Sequence, residues 1–222
     1  MQKIYRGDKM YPLLLREIPD SPKQLYCYGN ISLLKKKCIT IVGTRNITRY
    51  GIEVIEMFLG KYLRDLDIVV VSGLARGVDG YVHRICLERD IQTIAVVPGG
   101  INTAIPRCNI ELLKKIVKKG LVLAEYPRDQ KMLKYFYIQR NRILAGISKE
   151  IIVIEAGEKS GSLTTAKLAL DYNREVYVVP GNITSEVSRG CNLLAKQGAN
   201  ILTSVEDMKE IVGLVGEQVY FA

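Results

Sequence analysis

Six short apolar runs, set at regular intervals, constrain this chain more than any other feature. They are 38–42 (CITIV), 68–72 (IVVVS), 93–97 (TIAVV), 121–124 (LVLA), 151–155 (IIVIE) and 175–179 (EVYVV). Each has strand length, most are rich in Val and Ile, and most are followed closely by Gly or Pro. Their hydrophobicity is nearly continuous rather than alternating, which is the pattern of strands covered on both faces. Amphipathic segments lie between them. In 51–65, residues Ile52, Ile55, Phe58, Leu59 and Leu63 recur at helical spacing. In 106–119, Pro106 opens a helix and Lys114, Lys115, Lys118 and Lys119 close it, where cations complement the helix dipole at a solvated end. Segments 162–172, 188–196 and 205–212 also read as helices, with Ser188 and Ser204 as N-caps and Gly198 as a stop. Strand–helix–strand repetition implies right-handed crossovers and a doubly wound, mostly parallel α/β sheet with helices on both faces.

The first 35 residues differ in character. YPLLLREIPDSPKQLYCYGN carries three prolines and three tyrosines. They are expected to form an extended segment packed on the sheet edge, with 36–222 forming one core domain. No stretch approaches the roughly 18 apolar residues of a membrane span, and the N-terminus has no apolar leader core. Five cysteines, Cys27, Cys38, Cys86, Cys108 and Cys191, include no CxxC pair. With His83 as the only histidine, a Cys/His metal site is not expected, and reduced core thiols in a cytoplasmic protein fit best. The C-terminal apolar set Val205, Met208, Ile211, Val212, Leu214 and Val215 packs on the sheet or on a partner.

Lys plus Arg exceed Asp plus Glu by 32 to 23, a net charge of +9, which favours a polyanionic partner. HExxH, GxxxxGK[ST], GxSxG and the kinase signatures are all absent, and GTRNITRYG is not the GxGxxG dinucleotide fingerprint. No cofactor is expected, and a metal is not, because Asp79 and Glu125 stand alone and Glu155 ends a strand. His83 follows Asp79 by one helical turn, but no nucleophile lies beside it in the sequence, so a structural role is expected.

In an open α/β sheet, ligands bind beyond the carboxyl ends of the strands. There the chain places Gly43-Thr44-Arg45, then Ser72-Gly73 running to Arg76-Gly77, then Pro98-Gly99-Gly100, Ser160-Gly161-Ser162 and Pro180-Gly181. Glycine turns and helix N-termini offer backbone N–H groups to anions. Arg45, Arg49, Arg76 and Arg107 share this ridge, which suits a string of phosphates. The same residues also serve as ordinary turn punctuation and helix caps.

The motifs IVGTRNITRYG (41–51), VSGLARGVDGYVH (71–83), FYIQRNRILAGIS (136–148), VIEAGEKSGSLTTAKLA (153–169), VPGN (179–182) and RGCNLLAKQGA (189–199) resemble, in order and spacing, those of the DNA-processing protein A (DprA/Smf) family. The resemblance runs from Tyr11 to about Asp207. It implies a Rossmann-like core, binding of single-stranded DNA without sequence preference, homodimers, delivery of the recombinase RecA onto incoming DNA during natural transformation, and no catalysis. It also implies a contact set. Arg45 meets phosphate, Lys134 and Tyr137 meet backbone and base, and Gly73 to Gly77 line the same pocket. With the ridge residues, the expected DNA-binding set is Gly43, Thr44, Arg45, Arg49, Ser72, Gly73, Arg76, Gly77, Arg107, Lys134, Tyr137, Arg140, Asn141, Ser160, Gly161 and Ser162. Two roles stand open for Arg140: contact, or structure through buried hydrogen bonds.

The chain departs from the family in three ways. It has no room for the small helical and winged-helix-like domains that many members carry. GINTAIP (100–106) replaces the usual GxDxxYP, and Asn46 stands where some members have a second arginine. A competing reading is a nucleotide sensor, since Pro98-Gly99-Gly100 begins like the PGGxGTxxE motif of phosphoribohydrolases but lacks the Gly-Thr and the Glu.

Overall fold

The computed structural model describes residues 1–214. Nine strands form one sheet: β1 (Gln2–Tyr5), β2 (Gln24–Gly29), β3 (Lys37–Gly43), β4 (Ile68–Ser72), β5 (Thr93–Val97), β6 (Leu121–Ala124), β7 (Glu150–Ile154), β8 (Glu175–Val178) and β9 (Asn200–Ile201). Their order is β1-β2-β6-β5-β4-β3-β7-β8-β9. The pairs β1/β2 and β2/β6 are antiparallel and all others parallel. All six apolar runs of the sequence are strands, in a Rossmann-like doubly wound arrangement.

The central parallel strands β4, β5, β6 and β7 are buried along their whole length, and with β3 they serve two cores by turns. In β3, Cys38 and Val42 join Leu144, Ala166 and Cys191 on one face, whereas Ile39 and Ile41 join Val54, Phe58 and Val82 on the other. Period-two geometry with both faces covered explains why the sequence showed no alternation.

The helices are α1 (Leu13–Glu17), α2 (Arg49–Phe58), α3 (Val78–Glu88), α4 (Ile110–Lys119), α5 (Phe136–Gly146), α6 (Gly161–Asp171), α7 (Arg189–Lys196) and α8 (Val205–Val212). The expected helix over 51–65 stops at Phe58. Leu59 leaves the helical region, Gly60 is extended, and a 3-10 turn follows at Lys61–Leu63. Pro106 opens a 3-10 turn, Arg107–Asn109, and α4 begins only at Ile110. Ser204 caps α8 with a reciprocal Asp207 contact, whereas Ser188 makes no side-chain cap. Gly198 takes the left-handed conformation just past α7. Val215, in the C-terminal apolar set, lies outside the described residues.

The first 35 residues are extended only in part. β1 and β2 continue the sheet antiparallel beyond β6, with α1 between them. Buried polar bonds tie the segment down. The Tyr11 hydroxyl donates to Pro22 O at 2.7 Å, and Arg174 Nη2 donates to Leu14 O at 2.8 Å. Arg142 of α5 donates to Asp20 O and, at 2.5 Å, to Glu125 Oε1.

The strand order reverses between β3 and β7. The loops after these two strands therefore diverge to opposite faces and leave a crevice between them, the place where such sheets take ligands.

Candidate nucleic-acid interface

A cleft of about 550 Å³ opens at that crevice. Gly43, Thr44 and Arg45 form one wall, after β3. Gly157, Lys159, Ser160, Gly161 and Ser162 form the opposite wall, between β7 and α6. Tyr137, Arg140 and Asn141 enter from α5, and Ala75 and Asp79 from the second glycine loop and α3.

One residue spaces the walls. Glu155 follows β7 with a left-handed φ of +51°, an uncommon conformation for a side-chain-bearing residue. Its carbonyl accepts from Thr44 N at 2.7 Å. Its carboxylate accepts from Thr48 N at 2.9 Å and from the Thr48 hydroxyl. Both ends of the first loop thus hang on Glu155. The strain of its backbone is the cost of joining β7 to the start of α2.

The second loop is set by Arg140, buried beside Asp79. Arg140 Nη1 donates to Gly73 O at 2.7 Å and to Val96 O at 3.0 Å. Burial pushes the Asp79 carboxyl up, while Arg140 and the Ala75 and Gly43 amides draw it back. Burial likewise lowers Arg140, which Asp79 opposes. A Cβ on Gly73 would lie 1.9 Å from Arg140 Nη1 and 2.5 Å from Asp79 Oδ2, so only glycine covers this pair. Gly77, with φ +74°, lies against the first loop, where a Cβ would come 2.3 Å from Thr44 O.

Three features face the solvent in the cleft. The exposed Arg45 guanidinium sits 5.1 Å from the centre of the Tyr137 ring. The N-terminus of α6 opens beside it, with the Ser160 hydroxyl accepting from Ser162 N at 3.3 Å and only 2.7 Å from the Ser162 hydroxyl. Space around Gly161 is open. Lys159 adds a cation, and Glu186 is the carboxylate on the far rim. The arrangement offers a helix-dipole anion site, two flexible cations and an aromatic ring within one crevice.

Of the expected contact set, Gly43, Thr44, Arg45, Tyr137, Arg140, Asn141, Ser160, Gly161 and Ser162 meet in this cleft. Gly73 and Arg76 line a recess of about 70 Å³ that shares Arg45, Tyr137 and Arg140 with it. Arg49, Arg107 and Lys134 are exposed and line neither space, and Arg49 pairs with Glu53 at 2.9 Å. Ser72, expected as a contact, is instead wholly buried, and its hydroxyl donates to Ile41 O at 2.7 Å. For Arg140, the structural role accounts for both Nη1 bonds, and its buried Nε has no partner among the described residues.

Lys159 and Glu155 stand outside the expected contact set. Lys159 sits one residue before the α6 cap, a position where a cation was legible. Glu155 carried no signal, because its role depends on a backbone turn. Cys108 was expected in the core and is exposed, since it lies on the 3-10 turn before α4. His83 is wholly buried with Nδ1 2.8 Å from the Thr93 hydroxyl, and burial lowers its pKa to about 3. It stays neutral and faces the core.

A doubly wound sheet with a cationic, glycine-walled crevice at its switch point places this protein in the Rossmann-like class. The family described as DNA recombination-mediator protein A matches residues 2–213, and the chain belongs to that family. It is 41% identical to the DNA processing protein DprA of Bacillus subtilis, over 92% of this chain and 69% of that one. It is 36% identical to protein Smf of Escherichia coli, over 93% of this chain and 55% of that one.

Among solved structures, that of DprA from Streptococcus pneumoniae superposes with a TM-score of 0.89 at 36% identity, covering 94% of this chain and 73% of that one. DprA from Helicobacter pylori, whose structure is described as giving insights into a unique single-stranded DNA binding mode, superposes with a TM-score of 0.84 at 29% identity, covering 96% of each. A molybdenum cofactor binding protein from Rippkaea orientalis, 17% identical with a TM-score of 0.55, shares the fold alone. No helix among the described residues is long and apolar enough to cross a membrane.

Proposed function

We propose that this chain binds single-stranded DNA without sequence preference, shields it, and delivers the RecA recombinase onto it during natural transformation or recombination, acting as a homodimer in the cytoplasm. The observation that carries the binding step is the Arg45 guanidinium poised 5.1 Å over the Tyr137 ring beside the α6 N-terminus. Backbone phosphate is held by Arg45, Lys159 and the amide end of α6, while a base stacks on Tyr137. Phosphate contacts position the strand and read no sequence, and stacking tolerates every base. The single-strand binding named for the Helicobacter pylori relative supports this reading. Recombinase delivery and dimer formation rest on the family. The role is one of binding rather than catalysis: His83 is sealed from the cleft, and Asp79 is buried with no nucleophile beside it among the described residues.

A second reading is a nucleotide sensor. A cleft of about 550 Å³ falls in the size range of small-molecule sites. Fluorescence anisotropy with a single strand of about 30 nucleotides, an equal duplex and a mononucleotide, at two salt concentrations, separates the two, because phosphate neutralisation makes affinity fall with salt. Salt-dependent preference for the single strand supports the DNA reading. Preference for the mononucleotide overturns it.

A further inference from the structure

The lysines of α4 lie outside the cleft and contribute nothing to the core. Of the ten residues in this helix only Ile116 is buried. Lys115 and Lys118 form its crest, each bordering grooves on both sides. One groove, about 310 Å³, lies against Arg84 and Leu87 of α3. The other, about 840 Å³, is walled by Tyr28, Ile101, Ile105 and Arg128. The Tyr28 hydroxyl is buried in that wall with no hydrogen-bond partner among the described residues. Lys114 pairs with Glu111 at 2.7 Å and Lys119 with Asp90 at 3.2 Å, while Lys115 and Lys118 make no ion pair among the described residues. Around this crest six cations face three carboxylates, Glu88, Asp90 and Glu111. Exposed pairs of this kind are weak and open readily to a polyanion.

The crest is continuous with the cleft. Pro106 lines the recess beside Arg45 and Tyr137. Arg107 follows in the 3-10 turn, and α4 begins directly after it. As a helix returning from the carboxyl edge of a parallel sheet, α4 leads away from the cleft for about 15 Å.

We infer that the crest of α4 is a second nucleic-acid contact, a basic track that takes the sugar–phosphate backbone of a single strand as it leaves the cleft past Arg107. This rests on the single-strand reading above. Lysines on successive turns meet successive phosphates as mobile point charges. Apart from Tyr28, whose ring is buried, the groove linings are aliphatic and cationic, so bases do not stack there and the track reads no sequence.

The test compares strands of about 5 and about 25 nucleotides, the shorter near the low end of site sizes for such grooves, on the double variant Lys115→Glu, Lys118→Glu. A charge-matched control is Lys61→Glu, Lys167→Glu, whose residues border neither groove. The expected result is a loss of about tenfold or more for the long strand, with the salt slope lowered by about 0.7 per lysine removed, no change for the short strand, and no change for the control. Unchanged long-strand affinity, or equal losses with both strands or with the control, overturns the track; in the first case the aliphatic groove is left to an acidic protein segment. Failure of the unmodified protein to bind either strand overturns the single-strand reading along with it.

Discussion

The Arg45 guanidinium lies over the face of the Tyr137 ring, 5.1 Å from its centre, joining the first glycine loop to α5 across the mouth of the cleft. An exposed arginine so placed costs little to the fold when removed, yet it stands where a phosphate must pass. Arg45→Glu is expected to abolish single-strand binding with an unchanged thermal midpoint. Retained affinity in the folded variant removes Arg45 from the interface.

Tyr137 supplies the stacking face. Tyr137→Ala is expected to weaken single-strand binding by about 1–3 kcal/mol, with much less effect on duplex, because paired bases are not free to stack on it. Anisotropy with both DNA forms checks this, and equal losses on the two would exclude base stacking at this ring.

Arg140 and Asp79 are buried together, so removing one leaves the other charged or forces a proton change in an apolar setting. Arg140→Ala is expected to cost about 1–3 kcal/mol of stability, because it leaves the Gly73 and Val96 carbonyls without their donor. Adding Asp79→Ala is expected to recover part of it. Urea unfolding of the two single variants and the double gives the coupling, and strictly additive losses contradict an electrostatic coupling between them.

Glu155→Ala frees Thr48 N and its hydroxyl from their acceptor. A loss of about 1–3 kcal/mol in urea unfolding is expected, with weaker single-strand binding because Arg45 sits in the loop that is released. Full stability in this variant contradicts the clamp.

His83 sets a pH dependence. Its folded pKa is lowered to about 3 against an ordinary value of 6.5, so the unfolded chain takes up a proton first. The stabilisation is complete above pH 6.5 and is lost as pH falls from 6.5 toward 3. Between pH 7 and pH 5 this amounts to about 2 kcal/mol. His83→Gln is expected to flatten the pH dependence of urea unfolding by one proton over that range. An unaltered slope shows that His83 is not the titrating group.

Much of the fold was legible because parallel strands buried on both faces advertise themselves as unbroken apolar runs. β1, β2 and β9 were not: the edge strands β1 and β9 are short and mixed in residue type, and β2, inside the sheet, has no run of Val and Ile. The cleft's loops were readable from Gly43, Gly73 and Ser160 because glycine and hydroxyl residues after a strand have few uses. What failed was direction. Ser72 shares its motif with Gly73, yet the pleat turns it into the core, and a one-residue difference in a strand exchanges faces. Of the two roles open to Arg140, its depth beneath Gly73 supplies the supporting one, and the residue lines the cleft as well. Glu155 acts through a left-handed backbone that no local pattern announces.

The central claim is that the switch-point cleft holds the strand. Photocrosslinking of a single strand bearing iodouracil, followed by mass-spectrometric mapping of the adducts, tests it most directly. The account predicts adducts on Tyr137, lost in Arg45→Glu. Adducts confined to tyrosines away from the cleft, such as Tyr5 or Tyr62, with Tyr137 unmodified, would contradict it.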